Sequence, residues 1–181
     1  MVPKTKVRIL QTALKLYNEH GVYNPHGEQI TARRIAAELK MSDGNLRYHF
    51  PSREDIVRGL YDELVEKLNA EFSVISVEIV NWTAWLGGFH RIYQLLYEYR
   101  FLMRDFVGIM QHQSELKLHF RFLQKERKAM LKQMLQTLQT EGFLRPEPLQ
   151  GQYERLYDQL QILSDFWIAS SELMYEGSPD A

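Results

Sequence analysis

The sequence predicts an all-α protein, with a compact three-helix head at the N-terminus and a larger helical body behind it. Apolar residues recur at steps of three and four from Val7 to Met174. No stretch alternates with the two-residue period of a strand, and there is no internal repeat. Two short capped helices near the N-terminus are separated only by Lys40, Met41 and Ser42, the spacing of a helix-turn-helix.

In the head, Val7, Leu10, Ala13, Leu14 and Tyr17 mark one face of a first helix. Gly21 ends it, as a residue that accepts the positive φ of a helix C-terminus. The segment VYNPHGEQI reads as a loop with Pro25 and Gly27 as breakers. Thr31 is placed to cap a second helix whose inward side is Ile35, Ala36 and Leu39. Ser42 caps the third, which carries Leu46 and Phe50 one turn apart, and Leu39, Met41, Leu46 and Phe50 fill the angle between the two. After Pro51, Ser52 and Asp55 resemble a capping box, with Asp where Glu or Gln is usual. They open a long helix with Ile56, Leu60, Leu64, Leu68 and Phe72 at four-residue steps.

The body continues in helices. Trp82, Trp85, Leu86, Phe89, Tyr93 and Leu96 form one stripe, and Phe101 to about Gln111 is a shorter amphipathic segment. Ser114 to Glu141 is long, with Leu116, Phe120, Leu123, Met130, Met134 and Leu138 on one side and Gly142 closing it. RPEP makes a turn, and Tyr153, Leu156, Leu160, Leu163, Trp167 and Met174 mark a last helix ending at Gly177. Ser178, Pro179 and Asp180 stand in the order of N-cap, first helical residue and acidic first turn, so the natural chain is expected to continue past Ala181. The expected division is a head at 1–55 and a body at 56–181.

The 181 residues, 45% of them hydrophobic, suffice for a sizeable core. With no cysteine there are neither disulfides nor thiolate metal sites. MVPKTKVRIL is not a secretory leader, and no run approaches the roughly 18 apolar residues of a membrane span. The expectation is a cytoplasmic protein with no membrane partner, in which Asn81-Trp82-Thr83 matches a glycosylation acceptor by chance. The net charge of −1 hides an asymmetry: residues 1–58 hold ten Lys or Arg against six Asp or Glu, and the remainder twelve against seventeen. A head of +4 on a body of −5 points to a polyanion contact at the N-terminus.

The third helix supplies the chemistry for such a contact. With Leu46 and Phe50 turned inward, Asp43, Gly44, Asn45, Arg47, Tyr48 and His49 remain outside. Gly44 lets the backbone approach another surface closely. Arg47 can bond bidentately to guanine, and Asn45 can pair with an adenine edge. Tyr48 and His49 can reach phosphates or stack on sugar and base, while Ser42, Ser52 and Arg53 can clamp the backbone. Asp43 repels phosphate, and suits either a helix cap or a cytosine amine. Arg33 and Arg34 on the preceding helix add positive charge.

ITARRIAAELKMSDGNLRYHFPSREDIVRGL resembles the DNA-binding region of the tetracycline-repressor (TetR) family of bacterial regulators. Thr31, Ile35, Ala36, Met41, Ser42, Gly44, Asn45, Leu46, Tyr48, His49, Phe50, Ser52, Arg53 and Glu54 fall on that pattern. The chain departs from it at Lys40, where glycine usually makes the turn, and at Arg47, where a phosphate-contacting tyrosine is common. The loop between Gly21 and Ile35 is also about five residues longer than usual, an insertion that costs little. The resemblance implies a homodimer on a palindromic double-stranded DNA operator, with one recognition helix per half-site and Thr31, Arg33, Ser42, Asp43, Gly44, Asn45, Arg47, Tyr48, His49, Ser52 and Arg53 at the DNA. It also implies that the C-terminal helices form the dimer interface and a pocket for a small-molecule effector that releases the repressor.

Trp82, Trp85, Phe89, Tyr93, Met103, Phe106, Met110, Phe120, Phe166 and Trp167 are candidates for that pocket and would suit a hydrophobic or aromatic effector. The same positions are what any helical core requires. His112, Glu115 and His119 share a helix face, but the two histidines are about 10 Å apart along it, so no metal site is expected. No Glu-x-x-His pair, phosphate loop, nucleophile elbow or zinc-peptidase motif occurs, so neither a cofactor nor an enzyme is expected. The competing reading is a helical protein–protein adaptor that has lost DNA binding, for which Lys40 and Asp43 speak.

Overall fold

A computed structural model describes residues 4–22, 30–77 and 82–174, apart from the side chains at 76, 77, 82, 84 and 85. The breakers Pro25 and Gly27, the tripeptide's Asn81 and the terminal stretch from Gly177 lie outside the described residues. The head comprises α1 (Lys4–His20), α2 (Ala32–Glu38) and α3 (Asp43–His49), and α4 (Arg53–Val77) leads out of it. The body adds α5 (Trp82–Glu98), α6 (Arg100–Arg104), α7 (Phe106–His112), α8 (Ser114–Thr140) and α9 (Gln152–Met174). The chain is all-α, as expected.

Local chemistry starts the helices where the sequence indicated. Thr31 Oγ1 accepts from the Arg34 N–H at 3.2 Å, and Ser42 Oγ accepts from the Asn45 N–H at 3.2 Å. The Asp55 N–H donates to Ser52 Oγ at 3.1 Å, and the Ser52 N–H donates to the Asp55 carboxylate at 2.9 Å. That is a reciprocal capping box with the shorter acid, and each such cap contributes about 1 kcal/mol.

The turn between α2 and α3 is made without glycine. Lys40 takes φ +54°, its N–H bonds to the Ala37 carbonyl at 3.0 Å, and the Met41 N–H bonds to that of Ala36 at 3.0 Å. This paired pattern satisfies two free carbonyls of α2 and offsets the roughly 1–2 kcal/mol that left-handed backbone costs a non-glycine residue.

Ile35, Leu46, Ile56, Val57 and Leu60 are buried at the centre of the head, with Phe50 beside them. Gly59 lets α4 come close: a Cβ there would stand 3.0 Å from Leu10 Cδ2 and 3.2 Å from Phe50 Cε1. The inward face of α1 differs from the expected one. Ile9, Ala13, Leu16 and Tyr17 are buried, Leu10 and Leu14 are half-buried, and Val7 is exposed. The arc is turned because α1 packs against α6 of the body as well as α2 and α4. The core then runs without a break along α4 through Leu64, Leu68 and Ile75 to Ile92 and Leu96 of α5.

Four further expectations are corrected. Leu86 of α5 is exposed, and Ile92 is buried together with the expected Leu96. The segment from Phe101 is two helices, broken at Asp105, whose carboxylate lies over Gly108 where a Cβ would collide with it. On α9, Leu156, Leu160, Leu163 and Met174 are exposed while Ile168 is buried. The apolar stripe of α9 is real, but the side turned to the body carries Tyr157, Gln161, Ser164, Asp165 and Ile168. On α8, Met130 is likewise exposed.

The buried amide of Asn18 joins head to body. Its Nδ2 donates to the Glu98 carbonyl at the end of α5 (2.8 Å), and its Oδ1 accepts from the Phe101 N–H at the start of α6 (3.1 Å). Arg104 Nη1 donates to the Asn18 carbonyl at 2.6 Å and its Nε to Glu172 of α9 at 2.6 Å. Asn18→Ala leaves two buried helix-end groups unpaired, so urea denaturation should show a loss of about 1–3 kcal/mol. A change within error would mean that water replaces the amide without loss.

Candidate nucleic-acid interface

Leu46, fully buried, and Phe50 hold α3 by its inner face, which decides what the outer face presents. Gly44, Asn45, Arg47 and Tyr48 are exposed, Tyr48 to 84%. His49 is half-buried and meets the Tyr48 ring edge-on, with centroids 5.2 Å apart. Thr31 and Arg33 at the start of α2 and Ser42 at the start of α3 are exposed. At Gly44 an added Cβ would meet nothing within 4 Å. The protein's own packing therefore does not call for glycine there, and the open space suits a surface that comes from outside.

Arg47, which departs from the family pattern, and Asp43, the acid among the outward groups, are bound to each other. Arg47 Nε donates to Asp43 Oδ2 at 2.9 Å, one helical turn away. Ser42 does the capping, so Asp43 is free to hold the guanidinium at Nε. Ser52 and Arg53 are engaged in local structure instead: Ser52 in the capping box, Arg53 with the Val22 carbonyl at 3.4 Å and Glu54 at 3.3 Å.

Of the candidate pocket residues, Phe106 meets Phe120 at 4.9 Å and Phe166 at 6.2 Å between ring centroids, both edge-on. Tyr93 meets Trp167 at 5.9 Å, and its hydroxyl is 3.0 Å from Ser164 Oγ. Phe89 is half-buried, and Met103 and Met110 are buried in the core. The side chains of Trp82 and Trp85 lie outside the described residues. Two open grooves, about 490 Å³ between α1 and α2 and about 670 Å³ along α8 and the turn before α9, have other linings. His112 Nδ1 is 2.7 Å from the Gly108 carbonyl, Glu115 pairs with Arg58, and the His119 ring lies edge-on to Tyr61.

Sequence reading passed over the polar groups beside these rings. Arg127 occupies the inward stripe of α8 between Leu123 and Met134, with its guanidinium 4.7 Å from the centre of the Phe72 ring. Burial lowers its pKa, against the pull of Tyr157, Tyr61 and Asp165. Burial raises Asp165 to about 6, while a hydrogen bond from Gln161 Nε2 (2.9 Å) and the charge of Arg127 act the other way. Burial likewise raises Tyr61 to about 12. The signal for both charges was available: an Arg and an Asp at inward positions of helical stripes.

A three-helix head with a polar, open-faced third helix, carried on an all-helical body, defines the class of helix-turn-helix DNA-binding regulators. Residues 9–60 match the family model described as bacterial regulatory proteins, tetR family, and residues 63–180 match that described as TetR, bacterial transcriptional repressor. The chain belongs to the TetR family of bacterial transcriptional regulators. Among solved structures it is similar to a TetR-family transcriptional regulator from Marinobacter aquaeolei VT8, with 23% identity, a TM-score of 0.72, and 94% of this chain and 81% of that one covered. It is also similar to the probable transcriptional regulatory protein RHA5900, with 16% identity, a TM-score of 0.62, and 97% and 89% covered. At such identities the likeness is one of fold. A comparison with curated proteins gives no match.

Gly44→Ala should leave the fold as stable or raise it by about 0.5–1 kcal/mol, since Ala is the better helix former. Its affinity for duplex DNA at low salt should nevertheless fall; unchanged affinity would separate Gly44 from the interface. Asp165 gives a pH prediction. Because its folded pKa lies above the unfolded value of 3.8, the folded state holds a proton that the unfolded state has released, and stability falls as pH rises from about 4 to about 6. Asp165→Asn should therefore melt higher than the parent at about pH 7.5, and the difference should vanish near pH 4.

Proposed function

We propose that the protein is a homodimeric repressor that reads a palindromic operator with α3 of each subunit and is released by a small apolar or aromatic effector. In this reading residues 1–55 are the DNA-reading head and 56–181 the regulatory body. The observation that carries it is the outer face of α3: exposed Asn45, Arg47 and Tyr48 around a glycine that no packing among the described residues requires. Asn45 pairs with an adenine edge, and Arg47, with Nε held by Asp43, offers its Nη pair to guanine O6 and N7. Thr31, Arg33, Ser42, Tyr48 and His49 contact phosphates, and Ser52 and Arg53 brace the start of α4 against the backbone.

Dimerisation is supported by the apolar side chains that one chain leaves uncovered. Leu156, Leu160 and Leu163 follow one another along a single face of α9, and Leu118 and Phe122 are exposed on α8. A run of this size on two adjoining helices suits a second copy of the chain. The two α3 helices then enter successive major grooves about 34–36 Å apart. The effector lies among Tyr93, Phe106, Phe120, Phe166 and Trp167, and favours a dimer whose heads no longer match that spacing. The adaptor alternative loses its two supports, because Asp43 orients Arg47 and Lys40 closes the turn.

Selection of bound sequences from a random duplex library should return a palindrome; an asymmetric or absent consensus would sink the proposal. Arg47→Ala should cost about 1–3 kcal/mol and relax preference at one symmetry-related base pair. A loss spread evenly over all sequences would instead make Arg47 a phosphate contact. Leu160→Glu with Leu163→Glu should convert the dimer to a helical monomer in sedimentation, with loss of operator binding.

A further inference from the structure

The body holds a cluster of hydrogen-bond donors with nothing to donate to. Nε and Nη2 of Arg127 are closed off from solvent and have no acceptor among the described residues, and the same is true of Gln124 Nε2 and the Tyr61 hydroxyl. Among the described residues no carboxylate forms an ion pair with Arg127. Asp165, the acid on the facing helix, is tied to Gln161. The Gln124 Oε1 is already used by the Tyr157 hydroxyl at 3.4 Å. The guanidinium lies over Phe72, a contact that leaves its N–H groups pointing sideways.

A guanidinium with two nitrogens closed off from water and left without acceptors is unfavourable, and the neighbouring unmet groups are donors too. What completes such a site is a group that only accepts. An ionised carboxylate has two oxygens, no donor and the planar geometry that matches guanidinium. The apolar surroundings set the rest of the ligand. Phe120 stands seven residues before Arg127 on the same face of α8, about 10 Å along the axis, and forms the edge-on pair with Phe106.

We infer that the effector is an organic carboxylate, anchored by its acid group on Arg127 with Tyr61 and Gln124 as further donors, and with an apolar or aromatic body about 10 Å long reaching the Phe106–Phe120 pair. This rests on the reading of the body as an effector site and narrows it to one class of molecule.

The test uses the full-length protein and matched probes: decanoate against decanamide, 2-naphthoate against 2-naphthamide, and inorganic phosphate. Calorimetry without DNA should show at least one acid binding about tenfold or more tightly than its amide. In Arg127→Gln that preference should shrink to about twofold or less, with the thermal melt no lower than the parent's, because an unmatched buried charge has been removed. Acid and amide bound equally by the parent overturn the inference and leave an effector of neutral chemistry intact. Failure of every acid to bind up to about 1 mM overturns it too, as does phosphate bound as tightly as the organic acids. The comparison on the parent needs no variant, so poor folding of Arg127→Gln would not blunt it. Release is read separately: an acid that binds through Arg127 yet leaves the protein on its selected DNA refutes the release mechanism and not the site.

Discussion

The buried side chain of Asn18 is the interaction on which the two halves of the molecule depend. Two helices meet at Tyr99, and a helix end inside a protein leaves a carbonyl and an N–H in need of partners. One amide from α1 supplies both, accepting from Phe101 and donating to Glu98. The head is therefore not resting on the body; it completes the body's hydrogen bonding. Arg104 extends the tie from the Asn18 carbonyl to Glu172, so α1, α6 and α9 share one connected set of polar contacts. Lys67 adds a parallel contact, donating to Glu98 at 3.0 Å and to the Tyr99 hydroxyl at 2.9 Å. Any shift of α9 relative to α5 is felt at the base of the DNA-reading head.

What could be read from the sequence was local. Thr31, Ser42 and the Ser52–Asp55 pair cap helices within three residues of themselves, so spacing alone located them. Leu46 and Phe50 on α3 followed from periodicity, which also exposed the polar face. Asn18 was invisible for the opposite reason: its partners are 80 and 83 residues away, and an asparagine on a helix looks like solvent-facing surface. The break at Asp105 depends on a carboxylate folding over Gly108, which apolar period does not register. The stripe on α9 was legible as apolar, but periodicity does not say what covers it. Arg127 was hidden by the pattern itself, since counting apolar positions passes over the charged residue that sits among them.

The head and the body use charge differently. In the head, Asp43 and Arg47 are exposed enough for water to screen them, so their pairing adds little stability and serves to orient a guanidinium. In the body, Arg127 and Asp165 are withdrawn from water and not paired with each other, so each is unfavourable as it stands. The first arrangement prepares a surface for a large polyanion. On the proposed reading, the second prepares an interior for a small organic anion.

The unbroken core along α4 makes that helix a stiff rod common to both halves, 25 residues or about 37 Å long. Gly59 seats its first turns hard against Leu10 and Phe50, so the head cannot swivel on the rod and must travel with it. A tilt of about 10° at the body end displaces the other end by about 6 Å. On the proposed dimeric reading, a rearrangement too slight to disturb the packing of the body is thus magnified, by leverage alone, into a misfit between two heads and a groove spacing that DNA does not adjust.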